Sequence, residues 1–195
     1  MSGTGSGDAQ VRWERLFAEL DARFDAEMSL ERDAEIADRT RRERAQIPLY
    51  GRLLANVGRG TISVRLPGGP GPRVIVGTPS DVGPDWLLLV DTAHQSVLVP
   101  LAAVRSITGL HPGALEASLV ARRFTLGAAL RGVSRDRAAV DLVDVEGQVL
   151  TGTIDAVGSD HLDLAEHAPD EPRRARHVVR THVIPIAALG SVRRR

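Results

Sequence analysis

The chain has 195 residues, 43% of them hydrophobic and only 3% aromatic, so a core must be built of Val, Leu, Ile and Ala. Its 25 basic residues are all arginine, 25 acidic residues balance them, and cysteine is absent. The balance excludes a global basic field of the kind most nucleic-acid binders carry, and the missing thiols exclude disulfides and thiolate metal sites.

Residues 1–9 are Gly/Ser-rich and too polar to bury, and are expected to be a disordered tail. Residues 10–47 contain neither Gly nor Pro. Apolar residues recur at Trp13, Phe17, Leu20, Phe24 and Met28 with helical spacing, then thin out in a dense run of charges. One helix here would be roughly 55 Å long, and Ser29 is placed to cap a second one instead. Trp13, Phe17, Leu20 and Phe24 are candidate protein contacts: the stripe either docks on a neighbouring unit or pairs with another chain. No stretch reaches about 18 apolar residues, and the N-terminus lacks a basic-then-apolar signal pattern, so a cytoplasmic protein without membrane contact is expected.

From residue 48 onward the chain is a duplication. At an offset of 76, Gly51, Leu54, Val57, Arg59, Val64 and Leu66 fall on Gly127, Leu130, Val133, Arg135, Val140 and Leu142. One residue is then lost, and Gly77, Val82-Gly83, Asp85, Leu87 and Leu89 meet Gly152, Val157-Gly158, Asp160, Leu162 and Leu164. A ten-residue insertion precedes the last match, Val99 to Val104 with Ile184 to Leu189. Residues 48–108 and 124–195 are therefore expected to be two small units joined by a linker, 109–123.

Each unit opens with a short helix, Leu49 to Asn56 and Leu126 to Val133, with Thr125 as N-cap of the second. Five short strands follow in each. Ile62, Val64 and Leu66 alternate with polar residues, PGGPGP turns the chain, and Trp86 to Asp91 follows the turn at Asp81 to Pro84. A tight turn separates the last two strands. A helix and five strands imply a small closed barrel.

The unmatched positions single out one face. On strand three the matched Leu87 and Leu89 mark the inner side, so the outer side reads Trp86, Leu88, Val90 in the first copy and His161, Asp163, Ala165 in the second. Trp86 and Leu88 are candidate protein contacts. Their cover is expected to be the N-terminal helix first, the second copy next, and another molecule last.

No catalytic constellation emerges. The six histidines follow no metal-ligand spacing and are expected at the surface. Ser106 and Ser191 lack a His/Asp context, and the matched Asp85 and Asp160 are expected to bond backbone N–H groups within their own turns. No catalytic, cofactor or metal residue is assigned. The insertion, Glu166 to Thr181, carries Arg173, Arg174, Arg176 and Arg180, to which the tail adds Arg193 and Arg194. These are candidate nucleic-acid contacts if they form a phosphate-attracting patch. They are a solvated loop if Glu166, Asp170 and Glu171 neutralise them.

Gly77 and Gly152 in second strands, the apolar third strand after a polar turn, and the endings VPLAAVRSI and IPIAALGSV make residues 48–108 and 124–193 resemble the Sm-like (LSm) family. The resemblance implies two tandem five-stranded SH3-like barrels, each bent at the glycine, with edges that pair between units. The loop motifs of RNA-binding relatives are replaced by VGPDW and VGSDH, and by Pro-Leu-Ala-Ala and Pro-Ile-Ala-Ala. The whole chain also resembles actinobacterial proteins of the same tandem layout. The expected function is a non-catalytic scaffold or adaptor acting through protein partners or self-association. The alternative is RNA or DNA binding by the basic loop and tail of the second copy.

Overall fold

A computed structural model of the chain describes residues 23, 27–29, 31–42, 45–69, 71–116, 118, 123–170 and 173–195. It divides into two compact units, Met1–Ile47 and Pro48–Arg195. In the first, residues 31–42 are helical (α1), with exposed ion pairs one turn apart, Glu35 to Arg39 (3.9 Å) and Asp38 to Arg42 (3.7 Å). Such pairs stabilise a helix by a few tenths of a kcal/mol each (~0.3). Trp13, Phe17, Leu20 and Phe24, and the expected tail 1–9, lie outside the described residues.

The second unit is mainly β. Its elements are α2 (Leu49–Leu54), β1 (Ile62–Leu66), β2 (Arg73–Val82), β3 (Trp86–Asp91), β4 (Ser96–Pro100), β5 (Ser106–Thr108), α3 (Leu126–Asp136), β6 (Ala139–Asp144), β7 (Val149–Val157), β8 (His161–Glu166), β9 (Arg180–Pro185) and β10 (Leu189–Arg194). Short 3-10 turns, Leu101–Ala103 and Ile186–Ala188, join the last two strands of each copy. The ten strands among the described residues form one antiparallel sheet in the order β5-β1-β2-β3-β4-β10-β6-β7-β8-β9.

The expectation of closed barrels is thereby corrected. Each copy contributes the same order, fifth-first-second-third-fourth, and neither closes, because β4 bonds β10 of the other copy. The cause is the strand register. Leu101 N–H donates to the Asp85 carbonyl (2.9 Å), so alternation turns the backbone groups of Val99 and Val97 toward β3 and those of Leu98 outward. Outward groups on an unpaired strand invite a partner strand. Leu98 faces Val192 of β10.

Two cores result, one per copy. Leu53, Val64, Leu66, Leu87, Leu89, Val97 and Val99 fill the first, and Leu130, Val140, Leu142, Ile154, Leu162, Leu164 and Leu189 fill the second. The strand residues Val64, Leu66, Leu87 and Leu89, and their counterparts Val140, Leu142, Leu162 and Leu164, lie on the inward sides that alternation assigned. Gly77 and Gly152 sit where the strands approach most closely, since an added Cβ would lie 2.5 Å from the Val90 carbonyl oxygen and 2.1 Å from that of Ala165. Just beyond, β2 and β7 carry matched bulges, around Ser80 and Asp155, which the sequence pattern did not reveal.

α3 runs to Asp136, three residues past its expected end, and Arg137 closes it in the left-handed region (φ 53). Thr125 makes no side-chain cap bond. The cap comes instead from Asp85 of the first copy, whose Oδ1 accepts from Leu126 N–H (2.7 Å). Of the junction, Leu115 N–H donates to the Gly51 carbonyl (3.0 Å), and buried Asn56 holds the backbone of His111 through both its amide atoms.

Candidate functional site

The seam between the two copies gathers the residues that differ most between them. After the turn at Val82, Gly83 N–H donates to the Trp86 carbonyl (2.9 Å), which folds the indole back onto the glycine. A Cβ at Gly83 would stand 2.0 Å from Trp86 Nε1, so only glycine fits there. The indole is 3% exposed, although its strand face points away from the first core. It belongs to the second copy's core, with Leu126, Ala129 and Val192. Its Nε1–H donates to the Phe124 carbonyl (2.7 Å), and the Phe124 ring meets it edge-on at 6.0 Å. Cover for the apolar stripe thus comes from the second copy, rather than from the N-terminal helix expected first.

Polar contacts flank the indole. Asp85 was expected to bond its own turn. Its carboxylate instead caps α3 across 41 residues of sequence, and its carbonyl accepts from Leu101 N–H at the start of the 3-10 turn after β4. At the other end of the seam, Asp91 accepts from Gln95 and Ala93 N–H (both 2.9 Å) and pairs with Arg193 (3.2 Å). The Gln95 N–H first, then the Ala93 N–H and Arg193, hold this carboxyl below the usual carboxylate range. Arg73 reaches across to Ser191 Oγ of β10. Burial pushes the Arg73 guanidinium down from its ordinary value, the Arg193 charge adds to this, and Asp144 opposes it.

Between β3–β4 and the α3–β10 side lies a groove of 340 Å³. Trp86, Leu88, Leu98, Val133 and Val192 give it an apolar lining, and Asp81, Asp136 and Arg194 are the charged groups on it. Gly132 and Ala129 of α3 form part of its wall.

The equivalent face of the second copy is polar and lacks such a cover among the described residues. His161 lies over Gly158 as Trp86 lies over Gly83, but its side chain is 45% exposed. Its Nδ1 bonds Asp160 (2.8 Å), and this carboxylate raises the imidazole above its ordinary value. Asp163 and Val183 stand where the first copy has Leu88 and Leu98, and Val183 is 67% exposed.

The candidate nucleic-acid contacts are not brought together as a free patch. Arg173 Nε donates to Asp155 (2.9 Å), which also pairs with Arg137 (3.2 Å). Arg180 lies 3.6 Å from Glu166, and Arg194 pairs with Asp136 (3.1 Å). Arg193 holds Asp91 and Gln95 across the seam. Arg176 Nε bonds His177 Nε2 (3.0 Å), and Arg174 is exposed. Glu166 is one of the acids that proximity in sequence suggested, whereas Asp155, the bulged residue of β7, is not.

One histidine corrects the expectation of surface positions. His167 is 3% exposed, with Nδ1–H donating to the Ala168 carbonyl (2.8 Å) and Nε2 accepting from Thr153 Oγ1 (2.9 Å). His182 Nε2 bonds Glu166 (2.7 Å) at the surface. Among the described residues no three His, Asp or Glu side chains are grouped to hold a metal ion, and no helix is long and apolar enough to cross a membrane.

Compared with known proteins, the chain matches no family, no curated protein and no solved structure.

Proposed function

We propose that the chain is a non-catalytic cytoplasmic scaffold or adaptor of two tandem Sm-like units, acting through protein contacts or self-association. The repeated strand order, with β4 of one copy bonded to the fifth strand of the other, supports the Sm-like reading. One observation carries the function: among the described residues, β9 has a neighbour strand on one side only. Ile186 N–H donates to the Asp160 carbonyl (2.7 Å), so His182 and Ile184 bond β8 while the backbone groups of Thr181 and Val183 point away. At the same place in the first copy, such groups have taken a strand. An added strand at this edge would gain ladder bonds and cover Val183.

Proline at position 183 removes the outward N–H without disturbing the β8 ladder. Light scattering of the wild-type protein is expected to show a mass above that of one chain, rising with concentration, or a stable complex with a co-purified protein. Val183→Pro is expected to return it to a single chain, and nuclease is expected to change nothing. A strict monomer that retains no protein at high micromolar concentration contradicts the proposal.

The nucleic-acid reading draws less support, because Arg173, Arg180, Arg193 and Arg194 already face carboxylates. Replacing Arg173, Arg174, Arg176 and Arg180 with Gln is expected to leave weak RNA binding and its salt dependence unchanged. Phosphate contacts would instead lower log affinity by about 0.7–0.9 per contact for each decade of salt, and the variant would abolish that slope.

A further inference from the structure

We propose that the 340 Å³ groove between the two copies binds a small organic cation, an ammonium or guanidinium carried on an apolar body. Its volume lies at the lower end of the roughly 300–1,000 Å³ typical of small-molecule sites, and its lining has their composition, apolar walls with a few charged groups. The charge decides the class of ligand. Asp136 is paired with Arg194 (3.1 Å), which leaves Asp81 as the uncompensated charge. Among the described residues, Asp81 Oδ1 accepts only from the adjacent Val82 N–H (2.8 Å) and no arginine is ion-paired with it. An apolar ligand with a positive end therefore satisfies both the walls and the carboxylate.

Gly132 keeps one wall of the groove bare. It lies in the interior of α3, where glycine is the poorest helix former after proline. Nothing stands within 4 Å of a Cβ built there, so no close packing requires it. The bare backbone leaves the groove wall open. At the matched position of the first copy, Asn56 is buried and bonded to the chain, and the equivalent space is occupied. This inference does not depend on the scaffold reading.

Trp86 lines the groove, so it serves as the reporter in a full-length Trp13→Phe variant. Titration with 2-phenylethylammonium chloride is expected to change Trp86 emission saturably with one-site stoichiometry by calorimetry, and 2-phenylethanol is expected to bind about fivefold more weakly, the worth of a partly exposed ion pair. Asp81→Asn should reduce the ammonium to the affinity of the alcohol. Gly132→Met, which fills the groove, should abolish both while leaving the circular dichroism spectrum and melting temperature at or above those of the parent. A non-saturable response, equal affinity for ammonium and alcohol, or binding that survives Gly132→Met in the folded protein would each overturn the proposal.

Discussion

Trp86→Ala is expected to destabilise the Pro48–Arg195 unit by about 3–5 kcal/mol, the range for removing a buried aromatic side chain. The effect reaches beyond a cavity in one core. The indole is inserted from the first copy into the core of the second, and its Nε1–H satisfies the Phe124 carbonyl just before α3. Truncation removes the apolar contact between copies and orphans that carbonyl together. Urea unfolding followed by circular dichroism is expected to show a lower midpoint and, because the seam loosens first, a broadened transition. Trp86→Phe keeps a ring over Gly83 but loses the donor, and should cost about 1–3 kcal/mol. Equal and negligible losses for both variants would mean that the copies are held by the β4–β10 ladder and the polar contacts of the seam without the indole.

The second large effect is expected at the strand glycines, where a single methyl group decides the sign. Gly152→Ala places a Cβ 2.1 Å from the Ala165 carbonyl oxygen, and the obstructing atom is backbone in the paired strand β8. The strands must separate, at a cost of about 3 kcal/mol by comparison with overpacked cores. Gly77→Ala meets the Val90 oxygen at 2.5 Å and should cost somewhat less. Gly132→Ala, in open space on α3, should stabilise by about 0.4–1 kcal/mol. Thermal melts of the three variants test the order, and a neutral Gly152→Ala would refute the close approach of β7 and β8.

Much of the architecture was legible because it rests on local rules. Side chains alternate in any strand, so Val64, Leu66, Leu87 and Leu89, matched by Val140, Leu142, Leu162 and Leu164, marked the buried faces. Two copies in one chain exposed what the fold requires twice. Gly83 and Gly158 recur because the side chain three residues later lies on them. The apolar stripe of Trp86 and Leu88 was visible as a face needing cover, since burying apolar area is favourable whatever supplies it.

What covers that face was decided only in three dimensions. Alternation shows that Leu98 has outward backbone groups, but it cannot say whether β5 or β10 takes them, and that choice joins both copies in one open sheet. A bulge adds a single residue without a compositional signature, so Asp155 was unreadable as the partner of Arg137 and Arg173. The same holds for Asp85 capping α3 and for His167 buried against Thr153. These contacts join residues far apart in sequence, or place a polar side chain according to the space left by its neighbours. Two copies of one strand pattern and a face in need of a partner follow from the order of residues alone, whereas packing at the seam made the other copy that partner and left a groove beside it.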